Sequence, residues 1–112
     1  MIMNKRFLRK LYDCYKDLPP FCNLRMPPAR KVTFEISNDT GYYGLFVPYP
    51  MRIIITNEVK DFYNLQDTLL HEMVHLYLFY NGHTDYNQHE AKFEQIADTI
   101  CNTLLISRKH FG

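Results

Sequence analysis

An α+β fold in a single domain spanning residues 1–112 is predicted by three observations. Helical periodicity marks both ends of the chain and one apolar central segment, short alternating strands fall between residues 31 and 56, and Pro or Gly clusters stand at the joins. A chain of 112 residues has room for one core and not for two. Its hydrophobic content of 46%, with 15% aromatic residues, suits a packed globule rather than a disordered segment.

From Asn4 to Leu18, Phe7, Leu8, Leu11, Tyr12, Tyr15 and Leu18 recur at intervals of three and four with basic residues between them, which predicts an amphipathic helix. Pro19-Pro20 ends it, and the stretch to Arg30, with Pro27-Pro28, is a connector. Lys31 to Ser37 alternates Val32, Phe34 and Ile36 with polar residues, the pattern of a half-buried strand. After the turn Asn38-Asp39-Thr40-Gly41, two more short strands follow, Tyr42 to Val47 and Arg52 to Thr56, separated by Pro48-Tyr49-Pro50. Together they predict a small, mainly antiparallel three-stranded sheet. A buried helix is expected from Asn64, as its cap, to Asn81-Gly82, where glycine supplies the stop. The last helix is expected over about Gln88 to Ser107, with Phe93, Ile96, Ala97, Ile100 and Leu104 as its inward stripe.

Within the buried segment stands His71-Glu72-Met73-Val74-His75, an HExxH pentapeptide. Four residues of helix turn through about 400°, so the two imidazoles lie one turn apart on one face and can chelate a tetrahedral ion. Glu72 points about 100° away, where it can take a proton from a metal-activated water and return it to a leaving amine. The bland alternative is that these residue types fell at this spacing by accident. Against it stand Leu69, Leu70, Met73, Val74, Leu76, Leu78 and Phe79, which make the segment apolar nearly all round. Imidazoles and a carboxylate buried there need compensation, and a metal ion is the simplest. The pattern predicts a zincin-like domain that hydrolyses peptide bonds with Zn2+.

Three residues compete to be the third ligand. His89 precedes Phe93 by one turn and falls within the inward stripe, so it ranks first. Glu94, nineteen residues after His75, has the spacing of thermolysin-like sites but lies about 100° off that stripe. His83 sits in the loop beside Gly82, where an exposed histidine needs no special reason. A metzincin pattern is excluded, because Leu78 stands where its glycine would be and Asn81 where its histidine would be.

Net charge is only +1, yet residues 1–31 hold eight basic side chains against two acidic ones, a surplus of six that leaves the remainder at −5. Lys5, Arg6, Arg9, Lys10 and Lys16 could therefore present a face to DNA or another acidic surface; a merely solvated helix face accounts for the charge equally well. No apolar run approaches the roughly 20 residues that span a bilayer, and the basic N-terminus has no signal-peptide pattern, so a cytoplasmic location is expected. Cys14, Cys22 and Cys101 are an odd set without CxxC spacing, as expected of ordinary reduced thiols. The composition suits a monomer, although Tyr42, Tyr43, Phe46 and Tyr49 could form an exposed aromatic patch.

The run Asp67-Thr68-Leu69-Leu70-His71-Glu72-Met73-Val74-His75-Leu76-Tyr77-Leu78-Phe79, then Gly82 and His89-Glu90-Ala91-Lys92-Phe93, resembles the SprT-like metallopeptidases, the family that includes the DNA–protein crosslink protease Spartan. The family pattern is an LLHEMxHxxL helix and, after a variable loop, a histidine four residues before a phenylalanine that opens the last helix. Gly41-Tyr42-Tyr43-Gly44 is similar to its glycine-aromatic strand. The resemblance is specific over residues 65–101 and looser before them. It implies His71, His75 and His89 as zinc ligands and Glu72 as the catalytic glutamate. Glu90-Ala91 stand where small residues such as Gly-Pro are usual, and the cysteine-rich zinc ribbon of many members is missing, as in short versions from phages and mobile elements.

A peptidase mechanism would leave the oxyanion to the metal and to a tyrosine such as Tyr80 or Tyr86, while Asp98 could orient a ligand imidazole or simply be solvated. The competing function class is a zinc-stabilised module that binds protein or nucleic acid without catalysis. Glu72 weighs against it, since a purely structural zinc site has no use for a general base.

Overall fold

The computed structural model describes residues 3–112, whose elements follow the order α1 (Lys5–Lys16), β1 (Thr33–Ser37), β2 (Gly44–Val47), β3 (Arg52–Thr56), α2 (Phe62–Tyr80), α3 (Ala91–Leu104) and α4 (Arg108–Phe111). Asn4 caps α1 by accepting from the Phe7 N–H at 2.8 Å. The helix buries Leu8, Tyr12 and Tyr15 and leaves Lys5, Arg6, Arg9 and Lys10 exposed. The proline-rich connector holds only two three-residue 3-10 turns, Phe21–Asn23 and Ala29–Lys31.

The three strands occur where their alternation predicts, though the sheet is mixed and not mainly antiparallel. Strand order is β1-β3-β2: β3 pairs parallel with β1, from Thr33 opposite Arg52 to Ser37 opposite Thr56, and antiparallel with β2, from Gly44 opposite Ile55 to Val47 opposite Arg52. A parallel pair needs a crossover, and here β2 and its turns supply it without a helix. Alternation within a strand reports burial and says nothing about which neighbour it takes. The uninterrupted Ile53-Ile54-Ile55 run fits the central position, with Ile53, Ile55 and Thr56 buried. Phe46 is buried against Phe79 rather than part of an outer patch; of that aromatic set Tyr43 and Tyr49 are exposed.

One face of the sheet packs on α2, which is apolar on most sides and buries nine residues along its length. The cap of α2 is Asp61, three residues ahead of the expected Asn64. Its carboxylate accepts from the Asn64 N–H at 2.9 Å and from the Asn64 side chain at 3.0 Å. An anionic cap also complements the partial positive charge of the helix start. Gly82 ends the helix in the left-handed region, φ +81°, with its N–H donating to the Phe79 carbonyl. No helix among the described residues is long and apolar enough to cross a membrane. The three cysteines are free, Cys101 buried and the other two exposed.

The largest departure lies at the C-terminal end. Where one helix is expected to Ser107, α3 stops at Leu104, Leu105 takes φ 57°, and the chain doubles back into α4. Leu104-Leu105-Ile106 contains no glycine to announce this break. A side chain in that region costs roughly 1–2 kcal/mol, and Leu105, 92% exposed, recovers almost nothing by burial. Leu105→Gly is therefore expected to raise the melting temperature by a few degrees, the relieved strain exceeding the roughly 0.5–1 kcal/mol entropy cost of glycine. Thermal denaturation followed by circular dichroism checks this; a lowered melting temperature would mean Leu105 is not strained.

Candidate metal centre

Helix α2 carries His71, Glu72 and His75, and His71 and Glu72 line a cleft of about 270 Å³ together with Tyr43, Gly44, Asn64, Asp67, Thr68 and Phe111. His75 and Glu72 are buried and His71 is half-buried. His89 reaches the same point from the loop before α3 rather than from within that helix, which begins only at Ala91. The potential ligand atoms of His71, His75 and His89 all lie within 4.8 Å of one another. His75 Nε2 stands 3.3 Å from His71 Nε2 and 3.2 Å from His89 Nε2. Phe93, opening α3, floors the group, its ring centroid 4.5–5.0 Å from those of all three imidazoles.

The other competitors are elsewhere. Glu94 accepts from the Arg108 guanidinium, and His83 stays in its loop with its ring 6.4 Å from that of Tyr77. Asp98 does not orient an imidazole; it is exposed and accepts from Arg108 Nε at 2.9 Å. That orienting task falls to two backbone carbonyls. His71 Nδ1 donates to Phe111 at 3.1 Å and His75 Nδ1 donates to Tyr86 at 2.7 Å. Tyr86 thus contributes its carbonyl, while its ring packs against Phe46 and Phe79; the Tyr80 ring lies under the Arg25 guanidinium. No residue pattern could single out these carbonyl acceptors, because every residue has one. The aromatic floor was open to inference, since Phe93 shares the inward stripe of α3.

These hydrogen bonds test whether the site fits a metal ion. A carbonyl oxygen only accepts, so both Nδ1 atoms carry protons and both Nε2 atoms of the neutral rings carry lone pairs. Burial, reinforced by His75 and His89 alongside, lowers the His71 pKa to about 4, and burial also lowers that of His75. At neutral pH the two Nε2 lone pairs therefore face each other at 3.3 Å with no proton between them. A cation shared by both removes the repulsion. Two ligands of a tetrahedral Zn2+ at about 2.0–2.1 Å stand about 3.3–3.4 Å apart, close to the spacings found.

Glu72 is held separately. Burial lifts its pKa to about 8, outweighing the opposing influence of the Phe46 backbone on β2. Gly44, on the same strand, permits this approach: a Cβ there would meet Thr68 Cγ2 at 2.5 Å and Glu72 at 3.3 Å.

A family model described as the SprT-like family matches residues 29–110, and the chain belongs to that family. No curated protein and no solved structure matches the chain. The matched span includes the sheet, α2, His89 and α3, and leaves out α1.

The protonation behaviour of Glu72 has a measurable consequence in metal-free protein. Its folded-state pKa lies above the ordinary 4.5, so the folded chain keeps a proton that the unfolded chain has released. Stability is then lost as pH rises towards about 8. His71 acts in the opposite sense, but only below its ordinary 6.5. In chelator-treated protein the melting temperature is expected to fall between about pH 6.5 and 8, and Glu72→Gln is expected to flatten that fall. A decline unchanged in Glu72→Gln would assign it to another group.

Proposed function

We propose that this SprT-like chain is a zinc-dependent peptidase in which His71, His75 and His89 hold Zn2+ and Glu72 is the general base. The observation that supports it best is the cluster of three imidazoles with the buried Glu72 carboxylate adjoining His71 in sequence, His71 and Glu72 both lining a cleft. When bound, Zn2+ would lower the pKa of a water to about 7 and polarise the peptide carbonyl as a Lewis acid. Glu72 takes the proton of the attacking water on its carboxylate and delivers it to the leaving nitrogen. Glu72 itself lines the cleft. Strand β2 is a sheet edge, and its free backbone groups suit an extended peptide running beside α2. Glu72→Gln is expected to retain zinc while peptidase activity on an unfolded protein substrate falls about 10²–10⁴-fold. Full activity in that variant would remove Glu72 from the chemistry.

We also propose that the substrates are proteins associated with DNA, with α1 as the DNA-binding face. Lys5, Arg6, Arg9 and Lys10 are exposed on α1, Arg6 and Lys10 on the side away from its buried stripe, and Lys16 lies at its end beside Asp17. Affinity for double-stranded DNA is expected to fall steeply with salt. Replacing Lys5, Arg6, Arg9 and Lys10 by Ala should reduce the slope of log K against log salt by about 3 to 4 units. An unchanged slope would place any DNA contact elsewhere, and no binding by the wild type would leave a free-standing peptidase.

A further inference from the structure

Helix α4 is four residues long, far too short to be stable by its own backbone hydrogen bonds, yet it supplies the carbonyl that fixes the His71 ring. Phe111 is buried with its ring 5.6 Å from that of His71, and Gly112 lies against the same imidazole. What ties this segment down is Arg108. Its Nε donates to Asp98 at 2.9 Å and Nη2 donates to Glu94, both on α3, while Nη1 donates to the Gly112 carbonyl at 2.8 Å. The guanidinium also covers the Phe111 ring, 5.7 Å from its centroid. A planar fork with two donors directed back to α3 and one forward to the end of its own segment clamps the intervening backbone in place. Glu94 and Asp98, both considered for the metal site from sequence, thereby act at one remove from it.

We propose that Arg108 is a positioning residue of the metal site: by clamping α4 to α3 it holds the Phe111 carbonyl on His71 Nδ1 and keeps the His71 Nε2 lone pair aimed at His75 and His89. The consequence for metal binding rests on the proposed role of the three histidines; the effect on the His71 ring does not. His75 takes its carbonyl partner from Tyr86, on the loop before α3, and serves as an internal control.

The test uses the full chain with Arg108→Gln, Arg108→Lys and the double variant Glu94→Gln/Asp98→Asn. The double variant breaks the clamp without touching a core side chain. Nitrogen-proton correlation spectra of the metal-free protein at about pH 8, where imidazoles are neutral, report the tautomer of each ring. Competition with a chromogenic chelator reports Zn2+ affinity. Arg108→Gln and the double variant are expected to lose the pure Nδ1–H tautomer at His71 while His75 keeps its own, and to bind Zn2+ about 10–100-fold more weakly. Arg108→Lys, with the charge but not the fork, should recover part of the loss. An unaltered His71 tautomer in both clamp variants, or equal loss at His71 and His75, overturns the proposal. A wild type that binds no zinc, with His71 still released by Arg108→Gln, refutes the metal role of the histidines and upholds the clamp.

Discussion

Two imidazole nitrogens, of half-buried His71 and buried His75, face each other across 3.3 Å with no proton to share, and much of the surrounding structure serves to keep them so. The arrangement is unfavourable without a cation, because each ring has committed its only proton to a backbone carbonyl. Helix α2 supplies the rigidity: Leu69, Leu70, Met73, Val74, Leu76 and Leu78 are all buried around the motif and fix the backbone from which both rings project. Phe93 blocks retreat on another side. His89, exposed and on a loop, is the adjustable member, and its Nε2 beside that of His75 completes the set of three imidazoles.

The carboxylate of Glu72 is subject to a different constraint. It belongs to the residue next to His71 but packs against β2, so the edge strand and the helix approach within a distance that only glycine at position 44 allows. The same strand therefore packs against Glu72 and forms an edge of the sheet. This coupling explains why a sheet of only three short strands suffices: its work is to fix one close contact with α2, while the hydrophobic core is completed by α1 below and α3 beside it.

Helix α2 and the motif within it were legible because burial on most sides, a glycine stop and a fixed four-residue spacing all describe the same element. His89 was legible for a partly different reason from the one that applies. Its spacing from Phe93 placed it on the inward side, but the helix starts later, and the loop rather than the helix face delivers the ring. Strand order was not legible, since period-two alternation is identical for parallel and antiparallel neighbours. Nor was the turn at Leu105, where an apolar residue stands in a conformation that usually selects glycine. That turn is what returns Phe111 and Arg108 to the site, so the C-terminal contribution to His71 was invisible in the residue pattern.

The most direct test is the zinc content of purified protein by elemental analysis, in wild type, His89→Ala and His83→Ala. One equivalent in wild type and His83→Ala, with loss in His89→Ala, is the expected result. Zinc retained in His89→Ala, or a wild type that holds no zinc, would contradict a three-histidine centre and the hydrolytic chemistry built on it.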